Sequence, residues 1–316
     1  MAIYFTEDDV TSLLSMDDAL EVVENAFRQL GEGNAINHPR SRVQLPGATL
    51  HVMSAGSKVW GMLGLKAYTT TRSGARFLFH LYGIDGNLLA VMGADKLGQM
   101  RTGAASGVAT RYLAREDAAT VGLYGTGWQA RSQLEALTRS RRLSGAVVFG
   151  RDGARRIRFC QEMSESLRLD VRPASTPEQV SKEADILITA TNSKEPVLRG
   201  EWLRPGQHVN AIGANVATRQ EIDRYVVQKA ARVVTDSKEQ ALVECGDLIA
   251  PIAAGDLDWD DVVELGDIVS GKLVGRERPT DITLFESQGL AIEDVAVGRR
   301  VYELGRARGM GAPLPL

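Results

Sequence analysis

Apolar residues recur along the chain with two different periods, and the change of period divides it. Ser15 is placed to cap a helix with Asp17 and Asp18 in its first turn, and Leu20, Val23, Ala26, Phe27 and Leu30 follow at helical spacing. Strand-like runs come next, "TLHVMSAG", "LGLKAYTT" and "RFLFHLYGIDGNLLAVMGAD", the last carrying Asp85-Gly86-Asn87 as a hairpin turn. "MRTGAASGVATRYLA" then predicts a helix rich in small residues and suited to close packing. From about residue 118 the rhythm becomes strand, helix, strand, helix. "ATVGLYG", "GAVVFG", "LDVRPA", "ADILITAT", "HVNAIG" and "ARVVTD" are short β-rich runs, most of them apolar throughout. Apolar strands alternating with helices imply a parallel sheet covered on both faces. A last strand, "DITLFES", and a last helix, "AIEDVAVGRRVYELGRARG", close the chain, and that helix is expected to pack back on the first unit.

The expected fold is therefore α/β, a doubly wound parallel sheet inserted in an α+β unit. Its boundaries are 1–114 plus 288–316 for the outer domain and 115–287 for the insertion. Composition narrows the function. With 316 residues, 44% apolar, 24% charged and a net charge of −3, the chain is an ordinary globular one with no electrostatic footprint for nucleic acid or anionic membrane. The arginines at 139–142 and 151–158 read as solvated helix faces. Cys160 and Cys245 form no CxxC pair, and His38, His51, His80 and His208 lack metal-ligand spacing, so neither a disulfide frame nor a metal site is expected. No apolar run reaches membrane-spanning length and the first residues lack a secretory pattern, so a cytoplasmic protein is expected.

The chemistry begins at "VGLYGTGWQARSQLEALTR". The turn Gly125-Thr126-Gly127-Trp128-Gln129-Ala130 follows a strand directly and opens a helix, the context a dinucleotide-binding turn requires. Gly125 permits the turn, Gly127 lets the backbone approach a pyrophosphate, and Ala130 keeps helix and strand close. The next strand ends "VVFGRD", with Gly150 where an acidic residue would meet a ribose, then Arg151 and Asp152. An arginine there suits a 2′-phosphate, so NADP(H) is favoured; with Arg151 solvated and Asp152 on the ribose, NAD(H) stays open.

"LGLKAYTT", "LGQMRTGAASGVATRYLAR", "VGLYGTGWQARSQLEAL", "VNAIGANVATRQEID" and "ITLFESQGLAIEDVAVGRRVYE" occur together and in this order. Nearly end to end, the chain resembles the ornithine cyclodeaminase and mu-crystallin family, whose members exchange hydride between a nicotinamide and the α-carbon of an amino or imino acid. The resemblance implies a Rossmann-like NAD(P)-binding domain, a homodimer built through the first domain, and an active site between the two domains. It makes Arg40, Lys66 and Arg101 the substrate-binding and catalytic cations. It places Trp128 and Gln129 at the pyrophosphate and Thr191 beside the nucleotide. Ile212, Gly213, Ala214, Asn215 and Ser287 fall near the nicotinamide. By residue type alone, a lysine on a strand or an arginine opening a helix is usually structural. An imino acid, however, presents a carboxylate that Arg40 and Arg101 can hold, and a desolvated Lys66 can either bind that carboxylate or exchange a proton at the imine nitrogen.

Two positions depart from the cyclodeaminases. Asn215 and His51 stand where those enzymes carry carboxylates that handle a second amine. The segment "AYTTTRSGARFLFHLYG" is also short, and its Arg72 and Arg76 could face a second substrate carboxylate or the cofactor phosphate. The expected function is reduction of α-imino acids or cyclic ketimines by NAD(P)H. The first rival is an amino-acid dehydrogenase of the alanine type; ornithine cyclodeaminase and a non-catalytic small-molecule binder rank lower.

Overall fold

In a computed structural model that describes residues 1–315, the chain forms two compact units, Met1–Ala104 with Gly289–Leu316 and Ala105–Gln288. The first unit opens with β1 (Ala2–Phe5), α1 (Glu7–Leu13) and α2 (Met16–Gly31). Both helices start in capping boxes, Thr6 with Asp9 and Ser15 with Asp18, which satisfy backbone donors that the first turn leaves over. Then come β2 (Ala35–Asn37), β3 (Ser41–Leu45), β4 (Ala48–Ser57), β5 (Met62–Thr71), β6 (Gly74–Gly83) and β7 (Leu88–Gly93). The division between the units falls inside α3 (Asp95–Leu113).

The second unit continues with β8 (Thr120–Tyr124), α4 (Trp128–Ser140), β9 (Gly145–Phe149), α5 (Gly153–Leu167) and β10 (Val171–Pro173). Next are α6 (Pro177–Glu183), β11 (Ile186–Thr189), β12 (His208–Ala211), α7 (Arg224–Lys229) and β13 (Arg232–Thr235). It ends with α8 (Lys238–Glu244), α9 (Gly246–Ala253), β14 (Val262–Glu264), α10 (Leu265–Val269) and β15 (Thr283–Glu286). The chain then re-enters the first unit with α11 (Ala291–Arg308) and β16 (Ala312–Leu314).

The first unit's sheet runs β16-β1-β7-β6-β5-β4-β2, with β3 also on β4. Its long middle strands are antiparallel, and their register sets which side chains share a face. Met53, Lys66 and Phe79 lie abreast, and His51, Tyr68 and Phe77 form the next row on the same face. Helix α11 packs against β4, β5 and β6, as expected of the last helix. Alternate residues point the other way, so Leu63, Leu78 and Leu50 are exposed on the opposite face. The short strands β1 and β16 escape sequence reading because three or four residues are too few to establish a period.

The second unit's sheet, β10-β9-β8-β11-β12-β15-β13-β14, is parallel throughout. Successive residues of its strands are buried on opposite faces. Val121, Leu123, Ile186 and Ile188 pack with Leu134 and Phe159, whereas Tyr124 and Leu187 pack with Val180 and Val226. This explains the strands' unbroken apolar runs. The strand order reverses between β8 and β11, which is where open α/β sheets bind ligands. No helix among the described residues is long and apolar enough to cross a membrane, and no group of metal-ligating side chains is present among them.

Candidate functional site

Within the second unit, one row of the register runs Phe149, Tyr124, Thr189, Ala211, Glu286 and Thr235 across the carboxyl edge of the sheet. The nucleotide-site residues expected from sequence follow closely behind this row. Gly125 has φ +116°, and a Cβ there would sit 2.3 Å from the Ala190 carbonyl oxygen, so only glycine makes this turn. Gly127 is the N-cap of α4 and supplies no side-chain cap, while the first turn carries no acidic residue. The leading N–H groups and the positive end of the helix dipole are therefore available to phosphate oxygens. Ala130 is fully buried where the helix meets the sheet. The turn, with Gly150, Arg151, Asp152 and Thr191, lines a cleft of about 440 Å³. These features fit a dinucleotide.

Arg151 is exposed at the end of β9. Asp152 caps α5, accepting from the Arg155 N–H at 3.0 Å, and Arg155 in turn donates from Nε to the Thr126 carbonyl at 3.2 Å. Arg155, which sequence reading passed over as part of a solvated helix face, thus lines the cleft beside Arg151. Thr191 donates its N–H to Glu221 at 2.5 Å, Gly213 does so at 2.6 Å, and Ser287 donates from Oγ to Asp236 at 3.2 Å. Trp128 is half-exposed, Ile212 is buried, and Gln129 and Asn215 are half-buried.

The three expected cations come together in the first unit. Lys66 on β5 and Arg101 in α3 both reach Asp294 Oδ1, at 3.1 Å each, and Arg101 also donates to Glu293 at 3.2 Å. Arg40, just before β3, donates to the Gly289 carbonyl at 3.3 Å. All three cations are buried, and the two acids are fully so. Gly98 makes room for Lys66: a Cβ there would lie 2.8 Å from the amine. The Tyr68 ring has Lys66 Nζ 5.9 Å and Arg40 Cζ 6.0 Å from its centre, within cation–π range. His51 stacks on the same ring at 4.3 Å with an angle of 1°.

The electrostatics differ from residue to residue. Burial lowers the Lys66 amine from 10.5 to about 8; Asp294 resists this, and Arg101 and Arg40 add to it. Burial also opposes the charge on Arg101, but Asp294 and Glu293 outweigh it and raise its pKa. Burial, then Arg42 and Arg40, lower His51 to about 4, so its ring is neutral. The cluster therefore holds a proton on Lys66 that can be released near neutrality, beside Arg101, which keeps its own.

Sequence reading missed Glu293 and Asp294. The available signal was an acidic pair inside the apolar stretch "LAIEDVAVG", where burial without partners would be costly. Arg76 pairs with Thr69, one residue out of phase with Tyr68 and Lys66, and so projects from the other face; Arg72 sits exposed in the turn. Neither joins the Lys66 cluster.

A profile of the ornithine cyclodeaminase/mu-crystallin family matches residues 2–309. The chain is 35% identical to an alanine dehydrogenase of Archaeoglobus fulgidus, over 98% of its own length and 97% of that enzyme's. Among solved structures it is similar to Thermococcus litoralis Δ1-pyrroline-2-carboxylate reductase in complex with NADH and L-proline. The TM-score there is 0.95 at 34% identity, covering 99% of this chain and 100% of that one. It is also similar to an archaeal alanine dehydrogenase dimer with bound NAD, with TM-score 0.94 at 33% identity, covering 100% of this chain and 99% of that one.

Proposed function

The chain belongs to the ornithine cyclodeaminase/mu-crystallin family, and from that premise we propose that it is an NAD(P)H-dependent reductase of α-imino acids or cyclic ketimines. Lys66 carries the reading: an amine only 3% exposed, held against Asp294 beside Arg101 and poised near neutrality. Such a group can give a proton to the nitrogen of a C=N bond as the carbon is reduced. Arg40 and Arg101 hold the substrate carboxylate, Arg101 as a cation at any working pH. A bound nicotinamide would supply the hydride. The division of labour follows the two units: residues around Lys66 take the substrate, and those behind the carboxyl edge of the parallel sheet take the nucleotide. The test is loss of nicotinamide absorbance with Δ1-pyrroline-2-carboxylate, Δ1-piperideine-2-carboxylate, or pyruvate plus methylamine. No oxidation with any of them would remove the reductase reading.

Amino-acid oxidation is the second reading. The same Lys66, neutral above about 8, accepts the proton when the reaction runs backwards, and alanine is the substrate to try.

NADPH is the proposed cofactor. Asp152 is engaged in capping α5, Gly150 offers no carboxylate, and Arg151 and Arg155 both line the cleft. Arg151→Ala is expected to weaken NADPH by about 1.5–3 kcal/mol, the value of a charge-assisted contact, and to leave NADH nearly unchanged. Titration calorimetry with both cofactors checks this, and equal affinities in the unmodified protein would count against it. A homodimer through the first unit is proposed as well. Leu63 (51%) and Ile36 (54%) on its sheet and Ile84 (78%) in the turn after β6 are exposed around an apolar groove of about 410 Å³, a face that a second copy would cover.

A further inference from the structure

Glu221 lies between β12 and α7, is fully buried, and is absent from every role assigned so far. Its carboxylate accepts from the Thr189 hydroxyl at 2.9 Å, the Thr191 N–H at 2.5 Å and the Gly213 N–H at 2.6 Å. It therefore ties the segment leaving β11 to the segment leaving β12. Gly213 must be glycine for this, because a Cβ would meet the carboxylate at 2.6 Å. The backbone of Glu221 is itself pinned. Its N–H donates to Asp247 at 2.8 Å, and its carbonyl accepts from Val197 and Leu198.

Behind it stand two more fully buried carboxyls, Asp247 and Glu286, the latter accepting from the Cys245 thiol. Burial, together with the neighbouring carboxylates, pushes both well above the usual carboxylate range. Burial raises Glu221 as well, but donors from Thr191, Thr189 and Gly213 pull it back. The Thr189 hydroxyl and two backbone N–H groups all donate to the Glu221 carboxylate, an arrangement that favours its ionised form and so a negative charge beneath the two loop ends.

We propose that Glu221 is the positioning residue of the nicotinamide pocket: it fixes Gly213 at the ring's edge and Thr191 beside the nucleotide, and sets a buried negative charge behind them that favours the oxidised, cationic ring over the reduced, neutral one. This rests on the reading of Thr191 as a neighbour of the nucleotide and of Gly213 as a neighbour of the nicotinamide. The physics is a fixed charge in a low-dielectric setting acting on a ligand whose charge differs by one between its two forms. A clamp that only held the backbone would weaken both forms alike.

Glu221→Gln keeps the size, loses the charge and leaves its nitrogen unable to accept from one of the two N–H groups, so the ratio of the two affinities, rather than either affinity, separates the effects. Dissociation constants for oxidised and reduced cofactor, measured by calorimetry on the full chain, give the readout. The ratio of oxidised to reduced is expected to rise roughly tenfold, while Glu221→Asp, which keeps the charge, leaves the ratio near that of the unmodified protein. Should Glu221→Gln fail to fold, Thr189→Val removes one donor from the carboxylate, raises its proton affinity and shifts the ratio the same way by about two- to threefold. An unchanged ratio in folded Glu221→Gln or Thr189→Val, or an equal loss of both affinities there, overturns the inference alone. Failure of the unmodified protein to bind either form overturns the nucleotide-binding reading and the inference with it.

Discussion

Replacing Lys66 by methionine is expected to stop imine reduction and to raise the melting temperature in the same variant. The two effects have one cause. Lowering the amine from 10.5 to about 8 means that holding its charge in the fold costs about 3 kcal/mol, at about 1.4 kcal/mol for each unit of pKa. That figure already contains the attraction of Asp294 and the repulsion of Arg101 and Arg40. Methionine keeps the stem and drops the charge, so it should return much of that cost, a rise of roughly 3–6 °C for a chain of this size. The sign follows from proton counting. Between about 8 and 10.5 the unfolded chain binds more protons than the folded one, so native stability climbs with pH in that window. The advantage of the variant is full below about 8 and fades above it. Removing a positioned proton donor should cost about 10²–10⁴-fold in turnover. In the unmodified protein, reductive kcat/KM should fall as pH rises through about 8, and the oxidative direction should gain there. A variant that melts lower, or that keeps near-normal turnover, would remove Lys66 from its assigned place.

Ornithine is expected to give no proline. A cyclodeaminase oxidises the α-amine, captures the imine with the distal amine, releases ammonia and returns the hydride, so its cofactor shows no net change. Such a cycle has to hold a second ammonium. At the two positions where the cyclodeaminases carry carboxylates, this chain has Asn215 and His51. Asn215 carries no charge and takes no proton. His51 is neutral, and Arg42 and Arg40 act on it with positive charge, so a distal ammonium would meet repulsion at a buried position. Incubation with ornithine and a trace of oxidised cofactor should therefore yield neither proline nor ammonia, whereas a suitable imine should consume the reduced nicotinamide cofactor mole for mole. Many turnovers of proline would restore the cyclodeaminase reading.

What could be read from sequence was local. The glycine turn declares itself because strand, turn and helix are contiguous between Val121 and Arg139, and β5 announces Lys66 as a charge among apolar neighbours. The parallel sheet was legible because both faces are covered, leaving no polar alternation in its strands. What escaped depends on distance along the chain. Lys66 meets Asp294 across 228 positions, and nothing near Lys66 indicates which carboxylate will hold it. Glu221 looks like an ordinary polar residue in "TRQEID" until β11 and β12 are placed side by side. Arg155 lay in an arginine-rich stretch that, by composition, reads as solvent-facing, and only the angle of α5 against the turn brings it to the cleft. Arg76 shows the opposite case, since strand parity alone, once the hairpin register is known, removes it from the Lys66 face.

The ion pairs of Arg101 also bear on the order in which the protein assembles. Arg101 stands just before the second unit begins and Glu293 just after it ends, so their contact, 192 positions apart, closes the neck of a very long loop. In an unfolded chain that closure carries an entropy cost of several kcal/mol. Collapse of residues 105–288 around their own core shortens the effective loop and removes most of the cost beforehand. The charge cluster is thus expected to form late in folding, after a unit that contributes none of its members. During refolding from denaturant, nucleotide affinity should return before catalytic turnover, and simultaneous recovery of the two would show that the neck closes first.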